Sequence, residues 1–334
     1  MSWATYEDGS GNGGTMDPHS ELGAKLHAAG PAASHSGAAT AAPSKKGESR
    51  IRRWQIGDVK VTSIMESADK IPWAPLFAAE AADHYKKYDW LVPKFITPEG
   101  MIILAVQAFV LEIRGQRIVI DTCVGNDRER ELPQCADMQT AFLEDFKSAG
   151  FDPASINFVL CTHLHFDHCG WNTKLENGRW VPTFPKARYL FGRKEWAYWQ
   201  QVLKEKSQDV RHILDSVQPI IDAGLADFVD TNHKLMDEIW LEPSHGHTPG
   251  HVSVHVSSRG QEAVVTGDVF HNPIQLPEPE LCSAACVDKE MSRQTRRDFI
   301  ARYGNTPVRF FAIHFNEPVG RVVRDAQGCR FATD

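Results

Sequence analysis

The chain has 334 residues, 42% of them hydrophobic, with 36 Lys and Arg against 43 Asp and Glu for a formal charge of -7. That composition belongs to an ordinary globular protein and excludes fibrous, collagen-like and wholly disordered classes. The negative balance offers no field to hold a nucleic-acid backbone or an anionic membrane surface, and no apolar run approaches the roughly 20 residues of a membrane span. A small-molecule substrate is the expected partner, with no nucleic acid and no membrane.

Residues 1–50 are rich in Gly, Ala, Ser and Pro. Such a segment buries too little apolar area to offset its ordering entropy, so a disordered tail is expected, the alternative being an arm that docks on a partner subunit. The start of the chain lacks a basic stretch followed by an apolar run, and the seven cysteines form no dense framework. Both point to reduced thiols and a cytoplasmic location.

From Ile51 onward one folded domain, 51–334, is expected. Alternating apolar residues predict strands over 59–64 and 102–111. β-Branched runs at 108–113 and 117–120 flank Arg114-Gly115-Gln116 and predict a hairpin ending at Asp121. Phe142, Phe146 and Ala149 have helical spacing, closed by Gly150. A strand follows at 156–161, then a long helical region over 194–224 carrying Trp196, Trp199, Val202 and Leu203 on one stripe. Strands at 238–243, 252–256 and 263–266, a helix at 292–303 and a strand at 308–313 complete the pattern. Strands on both sides of the helices imply a layered α/β architecture.

The densest chemistry follows the strand at 156–161, in Thr162-His163-Leu164-His165-Phe166-Asp167-His168-Cys169-Gly170. In extended backbone His163 and His165 fall on one side and can chelate one cation. Asp167 and His168 come as the chain turns, within reach of a second. Imidazole and carboxylate are the donors expected of a zinc-like ion. Four ligands cannot complete two such sites, so further strand ends must contribute. The candidates are the turn Ser244-His245-Gly246-His247-Thr248-Pro249-Gly250-His251, then Gly267-Asp268, then His314.

With these motifs in this order, the sequence from about Trp54 to the C-terminus resembles the metallo-β-lactamase fold superfamily. The resemblance implies a four-layered αββα sandwich and two Zn2+ or similar divalent ions per chain. It implies that His163, His165 and His251 hold one metal, that Asp167, His168 and His314 hold the other, and that Asp268 bridges them. Spacing alone does not choose among His245, His247 and His251; under the resemblance His245 and His247 become scaffold of the turn. Asp121, in Ile120-Asp121-Thr122, is expected to orient a ligand imidazole.

Within the superfamily the sequence looks like the quorum-quenching lactonase and methyl-parathion-hydrolase branch. This implies a metal-dependent hydrolase in which a hydroxide bridging the two metals opens a lactone or cleaves a neutral, hydrophobic carboxylic ester. Asp167 is expected to assist proton transfer to the leaving group. His271 stands where similar lactonases place a tyrosine beside the substrate carbonyl, so it is a candidate oxyanion donor. An organophosphate triester is the alternative substrate. A β-lactam is disfavoured because Asp268 stands where classical β-lactamases carry a cysteine, and a thioester because no basic C-terminal region is evident. A metal-retaining ligand-binding protein is the reading without catalysis. Ile71, Pro72, Trp73, Leu76, Phe77, Trp90, Leu91 and Phe95 are expected to wall an apolar pocket, to form a homodimer contact or simply to pack in the core. Cys169 lacks a dedicated base and is set aside as a nucleophile.

Overall fold

The computed structural model describes residues 50–326 and 328–334. The expected N-terminal tail, apart from Arg50, lies outside them. The chain enters the fold through β1 (Ile51–Ile56), β2 (Val59–Ile71), β3 (Ile102–Ile113) and β4 (Gln116–Ile120), an antiparallel meander. The expected hairpin forms: Arg114 and Gly115 both have positive φ, the two-residue turn whose twist matches its flanking strands.

β5 (Phe158–Leu160) pairs parallel with β4. A separate hairpin, β6 (Thr173–Glu176) and β7 (Arg179–Pro182), follows. β8 (Arg188–Gly192) and β9 (Ala226–Val229) then extend the first sheet in parallel, giving the order β1-β2-β3-β4-β5-β8-β9. The second sheet runs in sequence order through β10 (Lys234–Met236), β11 (Ile239–Pro243), β12 (Val252–Ser258), β13 (Gln261–Val265), β14 (Arg309–Phe311), β15 (Val319–Asp325) and β16 (Gly328–Thr333). Only its β13–β14 pair is parallel.

Six helices are relevant to the layers: α1 (Phe142–Ser148), α2 (Phe166–Cys169), α3 (Arg193–Glu205), α4 (Arg211–Ser216), α5 (Gln218–Asp222) and α6 (Lys289–Tyr303). Side-chain alternation along the strands sorts the apolar residues into three cores. In β3, Phe109, Leu111 and Ile113 face the second sheet and pack with Leu241, Val254 and Val265. Its other face, Val106, Ala108 and Val110, meets Phe142, Trp199 and Ile220 of the first helical layer. In the second sheet Val264 and Phe310 point the other way, onto Phe299 and Tyr303 of α6. The result is the expected αββα sandwich, since each sheet is apolar on both faces and must be covered twice. Each fully buried large side chain in these cores contributes roughly 1.5–3 kcal/mol.

One expectation changes. The helical region over 194–224 is three helices, because Lys206 turns left-handed at the end of α3 and Pro219 restarts the chain at α5. Of the readings open for the apolar segment 71–95, core packing holds at Trp73, Phe77, Leu91 and Phe95, which are buried against Phe270, Ile274 and Leu276. Among the described residues no helix is long and apolar enough to cross a membrane.

Candidate metal centre

The ends of both sheets meet at one place. β5 delivers His163 and His165 on its following loop, and Asp167 and His168 on the single turn of α2. From the second sheet come His247, between β11 and β12, Asp268 after β13, and His314 after β14. Ligand atoms of His163, His165, His247 and Asp268 lie within 4.8 Å of one another, as do those of Asp167, His168 and His314. Asp268 faces both groups. Its Oδ2 is 3.1 Å from His247 Nε2 and 3.8 Å from His163 Nε2; its Oδ1 is 3.2 Å from His168 Nε2 and 3.1 Å from His314 Nε2. Asp167 lies 3.7 Å from both His168 Nε2 and His314 Nε2, and its side chain is more exposed than those of His168, His314 and Asp268.

The far side of each ring fixes which nitrogen faces inward. His168 Nδ1 lies 2.7 Å from Asp121 Oδ2, and His314 Nδ1 lies 2.8 Å from the Ala105 carbonyl. Both contacts take a ring proton, leaving Nε2 toward the centre. Asp121, held at φ +54, also accepts from the Thr162 amide at 2.6 Å and the Thr162 hydroxyl at 2.7 Å. It therefore ties the ligand loop to the end of β4, as the sequence led us to expect.

The structure gathers His247, rather than the expected His251, with His163, His165 and Asp268. His251 Nε2 accepts the Asp268 amide at 2.9 Å, and its Nδ1 lies 2.8 Å from the Ser244 hydroxyl. A neutral imidazole has one lone pair, and here it is already used. Gly267, at φ +52, permits this contact, because a Cβ there would stand 2.5 Å from His251 Nε2. His251 thus shapes the Asp268 turn, while His247 Nε2 reaches His165 Nδ1 at 2.8 Å. His245 stays scaffold, its Nδ1 on the His251 carbonyl.

The donor set passes a direct test for divalent cations. His163 Nε2 and His247 Nε2 both converge on His165 Nδ1, at 3.0 and 2.8 Å. One ring proton cannot satisfy every such contact, whereas a cation takes the lone pairs together. His168 Nε2 and Asp268 Oδ1 are buried without a hydrogen-bond partner. Burial drives the pKa of His163 and His165 well below the ordinary histidine value. Burial also opposes charge on His168, but Asp268, Asp167 and Asp121 outweigh it and raise its pKa well above normal. For Asp268 the burial penalty is overcome by His168, His314, His271 and His247, which hold the carboxyl well below its usual range. The centre is built to accept positive charge.

His271 stacks on His314 with rings 5.5 Å apart and 6° from parallel, and its Nε2 lies 3.2 Å from Asp268 Oδ2. Burial lowers its pKa to about 4. The ring is neutral at pH 7 and places a donor beside the shared carboxylate. Cys169 is buried, and burial pushes its thiol up, away from nucleophilic use.

One supporting residue has no sequence signal. Glu195, fully buried on the first turn of α3, accepts the Leu164 amide at 3.1 Å, Trp199 Nε1 at 2.9 Å and the Gly250 amide at 3.0 Å. It clamps the His163–His168 loop to the His247 turn. The approach is close enough that a Cβ on Gly250 would meet the Glu195 backbone nitrogen at 2.2 Å.

Residues 102–316 match the model of the Metallo-beta-lactamase superfamily. The chain belongs to that superfamily. It is similar to an N-acyl homoserine lactonase of Bacillus cereus, 23% identical over 172 residues, which are 48% of this chain and 61% of that one. The N-acyl homoserine lactonase AttM of Agrobacterium fabrum is 32% identical over 62 residues, 19% of this chain and 20% of its own. The chain thus spans less than two thirds of the length of these curated relatives. Among solved structures, hydrolase AbOPH of the beta lactamase superfamily superposes with a TM-score of 0.71 at 21% identity, over 86% of this chain and 99% of that one. The dizinc quorum-quenching lactonase AidC, solved with a product, gives 0.69 at 20% identity, over 85% and 97%. At such identities the structural likeness carries the fold alone.

Proposed function

We propose that this chain is a dimetal hydrolase that opens a lactone or cleaves a neutral, hydrophobic carboxylic ester. The observation that carries the reading is Asp268, whose two oxygens face two separate imidazole-rich donor groups. His163, His165 and His247 would hold one divalent cation, Asp167, His168 and His314 the other, and Asp268 both. When bound, the pair supplies Lewis acidity and activates water near neutral pH, with zinc the ion best suited to these donors.

The chain's own residues do the rest. Asp121 and the Ala105 carbonyl fix the ring directions of His168 and His314. Asp167, the most exposed carboxylate of the centre, would take a proton from the attacking water and pass it to the leaving alkoxide. His271, with Nε2 beside Asp268, would donate a hydrogen bond to the substrate carbonyl oxygen. The similarity to N-acyl homoserine lactonases supports a lactone as first choice. A phosphotriester is the second reading, because activated water held between two cations serves either electrophile.

The test is metal content of the purified protein with turnover of an acyl-homoserine lactone, an aryl ester, a phosphotriester and a β-lactam. Two metals per chain are expected, with lactone or ester turnover lost on chelation and restored by zinc. Turnover that survives complete metal removal would refute the reading.

A further inference from the structure

The face of β3 turned to the second sheet reads Ala105, Gln107, Phe109, Leu111 and Ile113, and the last three pack in the apolar layer between the sheets. Gln107 is 1% exposed, a primary amide in a row of hydrocarbon. Its partners lie far along the chain: Nε2 donates to the Ile313 carbonyl at 3.0 Å and to the Phe315 carbonyl at 2.9 Å. These residues stand on either side of His314.

β14 ends at Phe311, so the chain has left the ladder before it reaches His314. Buried carbonyls outside a ladder must find donors elsewhere. Two residues of β3 supply them. The Ala105 amide donates to the His314 carbonyl at 3.1 Å, and the Gln107 amide takes the carbonyls before and after it. The Ala105 carbonyl in turn holds His314 Nδ1 at 2.8 Å. Gln107 Oε1 is left buried without a hydrogen-bond partner. Turned over, the amide would set that oxygen against two carbonyl oxygens, so only this orientation serves the loop. An orphaned acceptor is a cost that an apolar residue at 107 would not carry. In return, three successive carbonyls around His314 are fixed from the first sheet.

We propose that Gln107 is a positioning residue for the cation held by Asp167, His168 and His314. By fixing the peptide groups that flank His314, it fixes where Nε2 of that ring points, 3.1 Å from Asp268 Oδ1 and 3.7 Å from Asp167 Oδ2. His163, His165 and His247 come from the loop after β5 and the turn after β11, which Gln107 does not hold. Its effect is therefore confined to one of the two sites. The inference rests on the proposed metal centre.

The test is a stepwise titration of the metal-free full chain with Co2+, which takes the same imidazole and carboxylate donors and whose visible absorption reports each site as it fills. His314→Ala identifies the step that belongs to the group of Asp167, His168 and His314. Gln107→Met matches the side chain in length and lacks its donors; it should weaken that same step by about 10-fold or more, shift its absorption band, and leave the other step within about twofold. Should the methionine protein not fold, Gln107→Asn, which keeps the amide but draws it back by one methylene, carries the same comparison. Parent affinity at both steps, or equal weakening of both, overturns the proposal and leaves Gln107 as packing. A parent that binds no Co2+ removes the metal-centre reading instead. The positioning of His314 is then read from its ring-nitrogen resonances in the metal-free proteins: an Nδ1–H protected from exchange in the parent and not in the variant supports it, and equal protection in both overturns it.

Discussion

Glu195→Gln is the perturbation that best separates support of the centre from mere packing. Glu195 offers Oε1 to the Leu164 amide and Trp199 Nε1, and Oε2 to the Gly250 amide. Glutamine fits the same space and can keep the first two contacts with its oxygen. Its NH2 must then face the Gly250 N–H, donor against donor. Two losses follow: the charge-assisted contact on that side, and satisfaction of a buried amide worth about 1–3 kcal/mol. Relief of the carboxylate's burial, which pushes its pKa up, returns part of this. A net destabilisation of about 2 kcal/mol is expected, or a Tm lower by about 4–8 °C for a domain of this size. Because Gly250 is three residues from His247, zinc affinity should also fall, by about 10-fold or more. Thermal unfolding of zinc-free protein reads the first effect, and competition with a chromophoric chelator reads the second. A lower Tm with unchanged zinc affinity would show that Glu195 only packs, and an unchanged Tm would refute the donor count itself.

His247→Ala and His251→Ala should part company. The first is expected to lose one of two bound metals and most turnover. The second should retain both at reduced affinity, since it removes only the acceptor of the Asp268 amide; metal analysis of the two proteins checks this, and the reverse pattern would restore His251 as ligand. His212 gives a stability effect with pH. It is buried beside Trp199, 4.6 Å between ring centroids, and burial lowers its pKa to about 4. The unfolded chain takes the proton near 6.5, so stability from this group is complete above that pH and lost as pH falls toward 4. The loss is about 3 kcal/mol at most. Denaturant titrations at pH 7 and pH 4.5 should show a smaller difference for His212→Gln than for the parent.

Much of this was legible in the sequence because it is local. The alternation in β3 names both of its cores, and the candidate ligands His163, His165, Asp167 and His168 sit within six residues at the end of one strand. What was not legible depends on approach from elsewhere in the fold. Three histidines crowd the turn from 245 to 251, and the choice between them is made by the Asp268 amide, 17 residues further on, which occupies the lone pair of His251. Glu195 reads as an ordinary polar residue at a helix start until its helix is laid against two loops. The last hairpin, β15 and β16, alternates apolar with Arg and Asp and so resembles a solvated segment; its strand character comes from pairing with β14. Asn177-Gly178 does carry a turn signal, but the strands it joins are short and largely polar.

The division of the donors between the two sheets bears on the order of events as the chain assembles. His163, His165, Asp167 and His168 belong to the first sheet, and His247, Asp268 and His314 to the second. Neither donor group is complete within one sheet. A nascent chain with its first half formed can offer a cation only part of each set, too few donors for tight binding. Tight metal capture must therefore wait until β14 has docked beside β13, across the long segment that holds α6. Bound metal is then a clasp that closes on a finished fold, and opening either sheet from the other releases it.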